Sequence, residues 1–126
     1  MGLREFFSTK KFKACLAKVE SHPQSPSAHF ELGVEHDRRG CIPEAIESFQ
    51  KTLNLHPGSA EAHFNLACLY EQRSDGGPAI SHILKAGNLF SEREDSANKD
   101  KCRKLSREYY KKFKIQPGEL SKPEAE

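Results

Sequence analysis

The sequence has no tryptophan, no Cys-x-x-Cys pair and no apolar run approaching the ~18 residues of a membrane span. Each absence closes off a class of protein. Without a long apolar run there is no candidate membrane helix. The N-terminal MGLREFFSTKKFK lacks the unbroken apolar segment of a secretory signal. Phe6 stands where a myristoylation motif wants Ser or Thr, which discounts a lipid anchor at Gly2. Cys15, Cys41, Cys68 and Cys102 are spaced too widely for a zinc set or a short disulfide framework. They read instead as reduced, partly buried thiols of a cytoplasmic protein.

Motifs for chemistry are missing as well. There is no nucleophile elbow, no phosphate-cradling glycine loop and no acid–base signature. Asp75-Gly76-Gly77-Pro78 reads as a turn, because no Lys-Ser or Lys-Thr follows it. His29 and His36 are seven residues apart, and no carboxylate or thiol completes a ligand set at suitable spacing. These absences point to a protein that is not an enzyme and holds no metal and no cofactor.

What is present is a repeat. Residues 28–40 read AHFELGVEHDRRG and residues 62–74 read AHFNLACLYEQRS. Sliding 26–59 onto 60–93 without a gap matches ten positions of 34, among them His29/His63, Phe30/Phe64, Leu32/Leu66, Ala45/Ala79 and Ile46/Ile80. A fixed period of this length signals a solenoid of stacked units. At 126 residues the chain has room for one domain, and a 36% hydrophobic share is enough for one modest core. A charged share of 30% predicts a soluble, well-hydrated surface.

Each copy divides into two helices. In the first, Ser25 or Ser27 caps a helix near Pro26, which suits a first-turn position, and Gly40 offers a left-handed stop. Pro43 restarts a helix whose buried stripe is Ala45, Ile46, Phe49 and Leu53, ending at His56-Pro57-Gly58. The second copy repeats this with Leu66, Ala67 and Tyr70, then Ala79, Ile80, Ile83 and Leu89, with residues 74–78 as the turn. Small residues at Gly33, Ala45, Ala67 and Ala79 let the paired helices approach closely.

The unit resembles a tetratricopeptide repeat (TPR), whose pattern sets W-x2-L-G-x2-Y before Ala, Phe and a closing Pro. Leu32-Gly33, Gly40, Ala45, Phe49 and Pro57 match in the first copy, and Leu66-Ala67, Tyr70, Ala79 and Ala86 in the second. The departures are His29 and His63 in place of Trp, His36 in place of Tyr and Ser91 in place of Pro. The resemblance implies an all-α fold: a short right-handed superhelical solenoid of antiparallel helix pairs. Residues 26–59 and 60–93 are the full repeats. Residues 1–24 are expected to be a truncated helix pair, and 95–114 a basic capping helix stopped by Pro117-Gly118. A polar, disordered tail is expected over 115–126.

The resemblance further implies a non-catalytic interaction module, an adaptor that binds a peptide or protein in the concave groove lined by the first helix of each repeat. On that reading the groove carries Phe30, Glu31, Val34, Asp37 and Arg38 from the first copy. Glu61, Phe64, Asn65, Cys68, Glu71 and Gln72 come from the second. His29 and His63 are assigned to packing between the helices. The carboxylate clamp of heat-shock co-chaperones needs Lys and Asn on a first repeat, where this chain has Phe30 and Val34; only Asn65 fits. An apolar or basic segment therefore suits the groove better than an acidic C-terminal tail.

Charge is laid out unevenly. Residues 21–98 carry net −5, while 1–20 carry +3 and 99–114 carry +6. The basic stretch KDKCRKLSREYYKKFK supports a second reading, binding of nucleic acid or another anionic surface. No membrane partner is expected, and the chain is read as a monomer or weak homodimer.

Overall fold

The computed structural model describes residues 2–119, with the side chains of residues 3–8 outside the description. Six helices fill it: α1 (Leu3–Ser21), α2 (Pro26–Arg38), α3 (Ile42–Leu55), α4 (Ala60–Gln72), α5 (Gly76–Glu92) and α6 (Ser96–Phe113). Among the described residues there is no strand. The architecture is an all-α helical repeat of short-linked hairpins.

The chain divides into two compact units, Met1–Gly58 with α1–α3 and Ser59–Glu126 with α4–α6. The sequence reading expected one domain. The division falls within a residue of the border between the two copies.

Local chemistry sets the helix limits. Ser25 Oγ accepts from the Ala28 amide at 3.2 Å, and Ser59 Oγ does the same for Ala62 at 3.2 Å. These caps satisfy amides that the first helical turn leaves open. Between α2 and α3 the chain turns through Gly40 at φ +74°, and between α4 and α5 Ser74 holds the same conformation at φ 58°.

Three boundaries differ from expectation. Residues 1–24 were expected as a helix pair, yet Leu3–Ser21 is one uninterrupted helix. No Gly or Pro interrupts that stretch, so nothing stops the helix. Gly76, Gly77 and Pro78 belong to the first turn of α5 rather than to a linker; Pro is tolerated there because first-turn amides need no helical partner. Finally, α6 ends at Lys114 in the left-handed conformation (φ 54°), before Pro117-Gly118 is reached. The expected tail lies outside the described residues from 120 onward; 115–116 are irregular and 117–118 form a turn.

The first unit packs around Phe49, with Ala28, Leu32, Ala45 and Ile46 buried beside it. A Cβ built on Gly33 would lie 2.8 Å from Phe49 Cε1, so glycine is what lets α2 sit on α3. The core of the second unit joins Ala67, Ala79, Ile80, Ile83, Ala86 and Phe90 to Cys102 and Tyr109 of α6. Gly76 plays the close-approach role here, because a Cβ would lie 2.6 Å from the Phe113 ring.

Candidate functional site

Within the first unit, the predicted binding residues of α2 divide into engaged and free. Phe30 is half-buried and meets Phe49 edge-on, ring centroids 5.4 Å apart, so it serves the α2–α3 core. Glu31 accepts two hydrogen bonds from Lys18 of α1, at 3.2 and 3.0 Å. Arg38 donates to Glu35 at 3.2 Å. Val34, half-buried, and Asp37, exposed, have no side-chain hydrogen bond or ion pair among the described residues.

The second unit shows the same division on α4. Arg93 grips Glu61 with both guanidinium nitrogens, at 2.6 and 3.3 Å, and this pairing holds the Glu61 carboxyl below the usual range. Lys101 stands 5.1 Å over the Phe64 ring. Tyr109 points its hydroxyl at the Cys68 sulfur, 3.9 Å away, and Lys112 pairs with Glu71. Asn65 is half-buried and Gln72 exposed, and neither amide has a partner among the described residues.

Lys18 and Lys112 from the basic ends pair with Glu31 and Glu71, and Arg93 from within the second repeat pairs with Glu61. Of the acidic candidates Glu31, Asp37, Glu61 and Glu71, the three glutamates are each compensated from within their own unit, and Asp37 is not. What remains open on the two first helices is Val34 and Asp37 on α2 and Asn65 and Gln72 on α4.

Sequence reasoning missed Glu35. Its side chain is 3% exposed, between Lys11 of α1 and Arg38, each at 3.2 Å. The aligned residue of the second copy is Leu69, fully buried. That alignment was the available signal: a Glu aligned with a Leu of the other copy sits where the fold wants a buried side chain.

The equivalent histidines are both buried, as packing residues should be, but they find different partners. His29 Nε2 is 2.8 Å from the Pro23 carbonyl oxygen, while His63 Nδ1 meets His82 Nδ1 at 2.9 Å. The first copy has Ser48 at the position of His82, so His29 has no ring to pair with there. His36 packs edge-on against Phe12 of α1, 5.2 Å between centroids.

Cys15 and Cys102 are poorly suited to nucleophilic chemistry. Burial, then the nearby Cys68, pushes Cys102 up to about 11. Burial together with Glu35 and Glu31 also raises Cys15. Such groups stay protonated at neutral pH.

Helix pairs with glycine or alanine at the contact, two near-copies and a terminal helix packed on the last hairpin define a TPR-like helical-repeat fold. Solved structures bear this out. The translocator chaperone SycD of type III secretion from Yersinia enterocolitica superposes with a TM-score of 0.81 over 89% of this chain and 78% of its own, at 15% identity. A MamA structure designated MSR-1 C2 is 32% identical over 69% of this chain, with a TM-score of 0.63; this chain spans 49% of that one. Another MamA crystal structure matches over 94% of this chain at a TM-score of 0.61 and 17% identity. No protein-family profile matches the chain, and no curated protein does. Among the described residues no helix is long and apolar enough to cross a membrane.

Proposed function

We propose that the chain is a non-catalytic protein-binding adaptor of the tetratricopeptide type, and that it takes a partner segment on the first helices of its repeats. One observation carries the reading. Val34 and Asn65 are half-buried and unengaged, on helices where Glu31, Arg38, Glu61 and Glu71 are paired within the chain and only the exposed Asp37 and Gln72 are also open. An apolar side chain offers contact area, and a free amide both donates to and accepts from a peptide backbone. The likeness to a secretion chaperone supports a protein partner in general terms.

Glu31, Glu61 and Glu71 already have cationic partners, which weakens the case for a basic segment and leaves Asp37 as the open acid. The surface suits an apolar segment with free backbone polar groups. Four free cysteines, two of them buried, favour a reducing compartment and hence the cytoplasm. The test compares retention of partners by the wild-type chain and by a Val34→Arg/Asn65→Arg double variant, with circular dichroism matched between them. Loss of a retained protein in the variant supports the reading, and equal retention overturns it.

A second reading has its own observation. Lys99, Arg103, Lys104, Arg107, Lys111 and Lys114 form no ion pair among the described residues, which leaves α6 able to face an anion. Phosphate binding of that kind weakens steeply with ionic strength, whereas apolar binding on α2 and α4 does not.

A further inference from the structure

The second unit carries a cleft of about 240 Å³ between α5 and α6. Its floor is apolar, formed by Ile83 and Cys102, both almost fully buried. One lip is Leu84, which at 40% exposed is one of two large apolar side chains left in solvent among the described residues. Across from it stand Lys99 and Arg103, one helical turn apart on α6. Asn88, Ser91 and Ser106 complete the wall.

Comparison of the two copies shows how this cleft arises. The first copy has Leu53 where the second has Gly87, and Gln50 where the second has Leu84. A Cβ on Gly87 would lie 3.3 Å from Cys102 Cβ, so the glycine lets α6 come close. The same glycine removes the side chain that would otherwise lie beside the cleft. At the other position an exposed polar residue has become an exposed aliphatic one, which fold stability does not require.

The cations are also unexplained by the fold. Lys112 and Lys101 on α6 turn toward α4, to Glu71 and Phe64. Lys99 and Arg103 have no acidic partner among the described residues. The nearby Asp95 is engaged with Asn98, at 2.7 Å to its side-chain amide, and Asp95 is not part of the cleft wall.

We infer that this α5–α6 cleft is a second protein-docking site, separate from the surface on α2 and α4, and that its occupant is an acidic peptide segment with one aliphatic side chain. The aliphatic group sits on Ile83 beside Leu84. Flanking carboxylates pair with Lys99 and Arg103, where Arg supplies a planar two-pronged donor. Asn88 and Ser91 meet the peptide backbone. A nucleic acid offers the anions and lacks the aliphatic group, so it leaves the Leu84 side of the cleft unused.

The test uses the full chain and a fluorescein-labelled peptide, Gly-Asp-Asp-Leu-Asp-Asp-Gly, read by fluorescence anisotropy. The expected result is saturable binding that weakens about tenfold or more in a Lys99→Glu/Arg103→Glu variant. Leu84→Gln, the residue the first copy uses, weakens it several-fold, as does replacing the peptide leucine by serine. All these side chains lie at the rim, so thermal melts of the variants match wild type. Absence of binding overturns the proposal. Equal binding of the serine peptide, or full displacement by an oligothymidylate, also overturns it, in favour of unspecific anion binding. The Val34→Arg/Asn65→Arg variant should bind the peptide as wild type does, so failure of either site is read separately.

Discussion

The Nδ1 atoms of His63 and His82 lie 2.9 Å apart, so one ring donates to the other and the two cannot both carry a proton on the facing nitrogen. Tyr70 stacks on His82, centroids 5.6 Å apart and planes 4° from parallel. Burial, then His63 and Lys85, lowers the His82 pKa from 6.5 to about 4. The unfolded chain then takes up a proton that the folded chain refuses. The contribution is fully present above pH 6.5 and is lost as pH falls toward 4. The melting temperature should fall across that window. His82→Ser, the residue of the first copy, should flatten the decline, and an unchanged pH profile would contradict this role.

Glu35 makes the opposite kind of prediction. Its partners Lys11 and Arg38 are 59% and 63% exposed, so deleting the carboxylate strands no buried charge. Replacement of a buried ion by a well-packed apolar side chain is often neutral or stabilising. Glu35→Leu, copying Leu69, is expected to leave stability unchanged or raise it by about 1 kcal/mol in urea unfolding. A loss beyond about 2 kcal/mol would mean that the ion pairs hold α1 onto α2.

Residue type, not backbone conformation, separates the two copies at one turn. Gly40 and Ser74 occupy equivalent positions with φ of +74° and 58°. A side chain in that region costs about 1 kcal/mol or more. Ser74→Gly should therefore stabilise the chain by about 1 kcal/mol, measured as a shift in denaturant midpoint at constant slope.

Close packing supplies a fourth test. Gly33→Ala places a methyl 2.8 Å from the Phe49 ring, inside any relaxed contact. The expected loss is about 1–3 kcal/mol, partly recovered by pairing it with Phe49→Leu, which withdraws the ring. Additive losses in the double variant would contradict the contact as described.

Much of the fold is legible in the residues alone. The ten matches at a spacing of 34, Pro26 after Ser25 and the left-handed Gly40 place the two hairpins because each acts locally. The paired side chains on α2 and α4 were not legible. Glu61 with Arg93 and Glu71 with Lys112 are 32 and 41 residues apart in sequence, and only the packed helices bring them together. Glu35 escaped because a charged helical residue reads as solvent-facing unless its repeat partner is consulted. The expected break in α1 failed for a simpler reason: Leu3–Ser21 holds no glycine or proline that would stop a helix.

The proposed adaptor role requires a partner to contact the open positions on α2 and α4. The most direct measurement places a photo-crosslinking residue at Val34, at Asn65 and, as a control, at Lys51 on the exposed side of α3. Each variant is irradiated with the partner obtained from the retention experiment. Crosslinks from Val34 and Asn65, with none from Lys51, are the predicted result. Crosslinking that is equal at all three positions, or absent from the first two, would contradict the account.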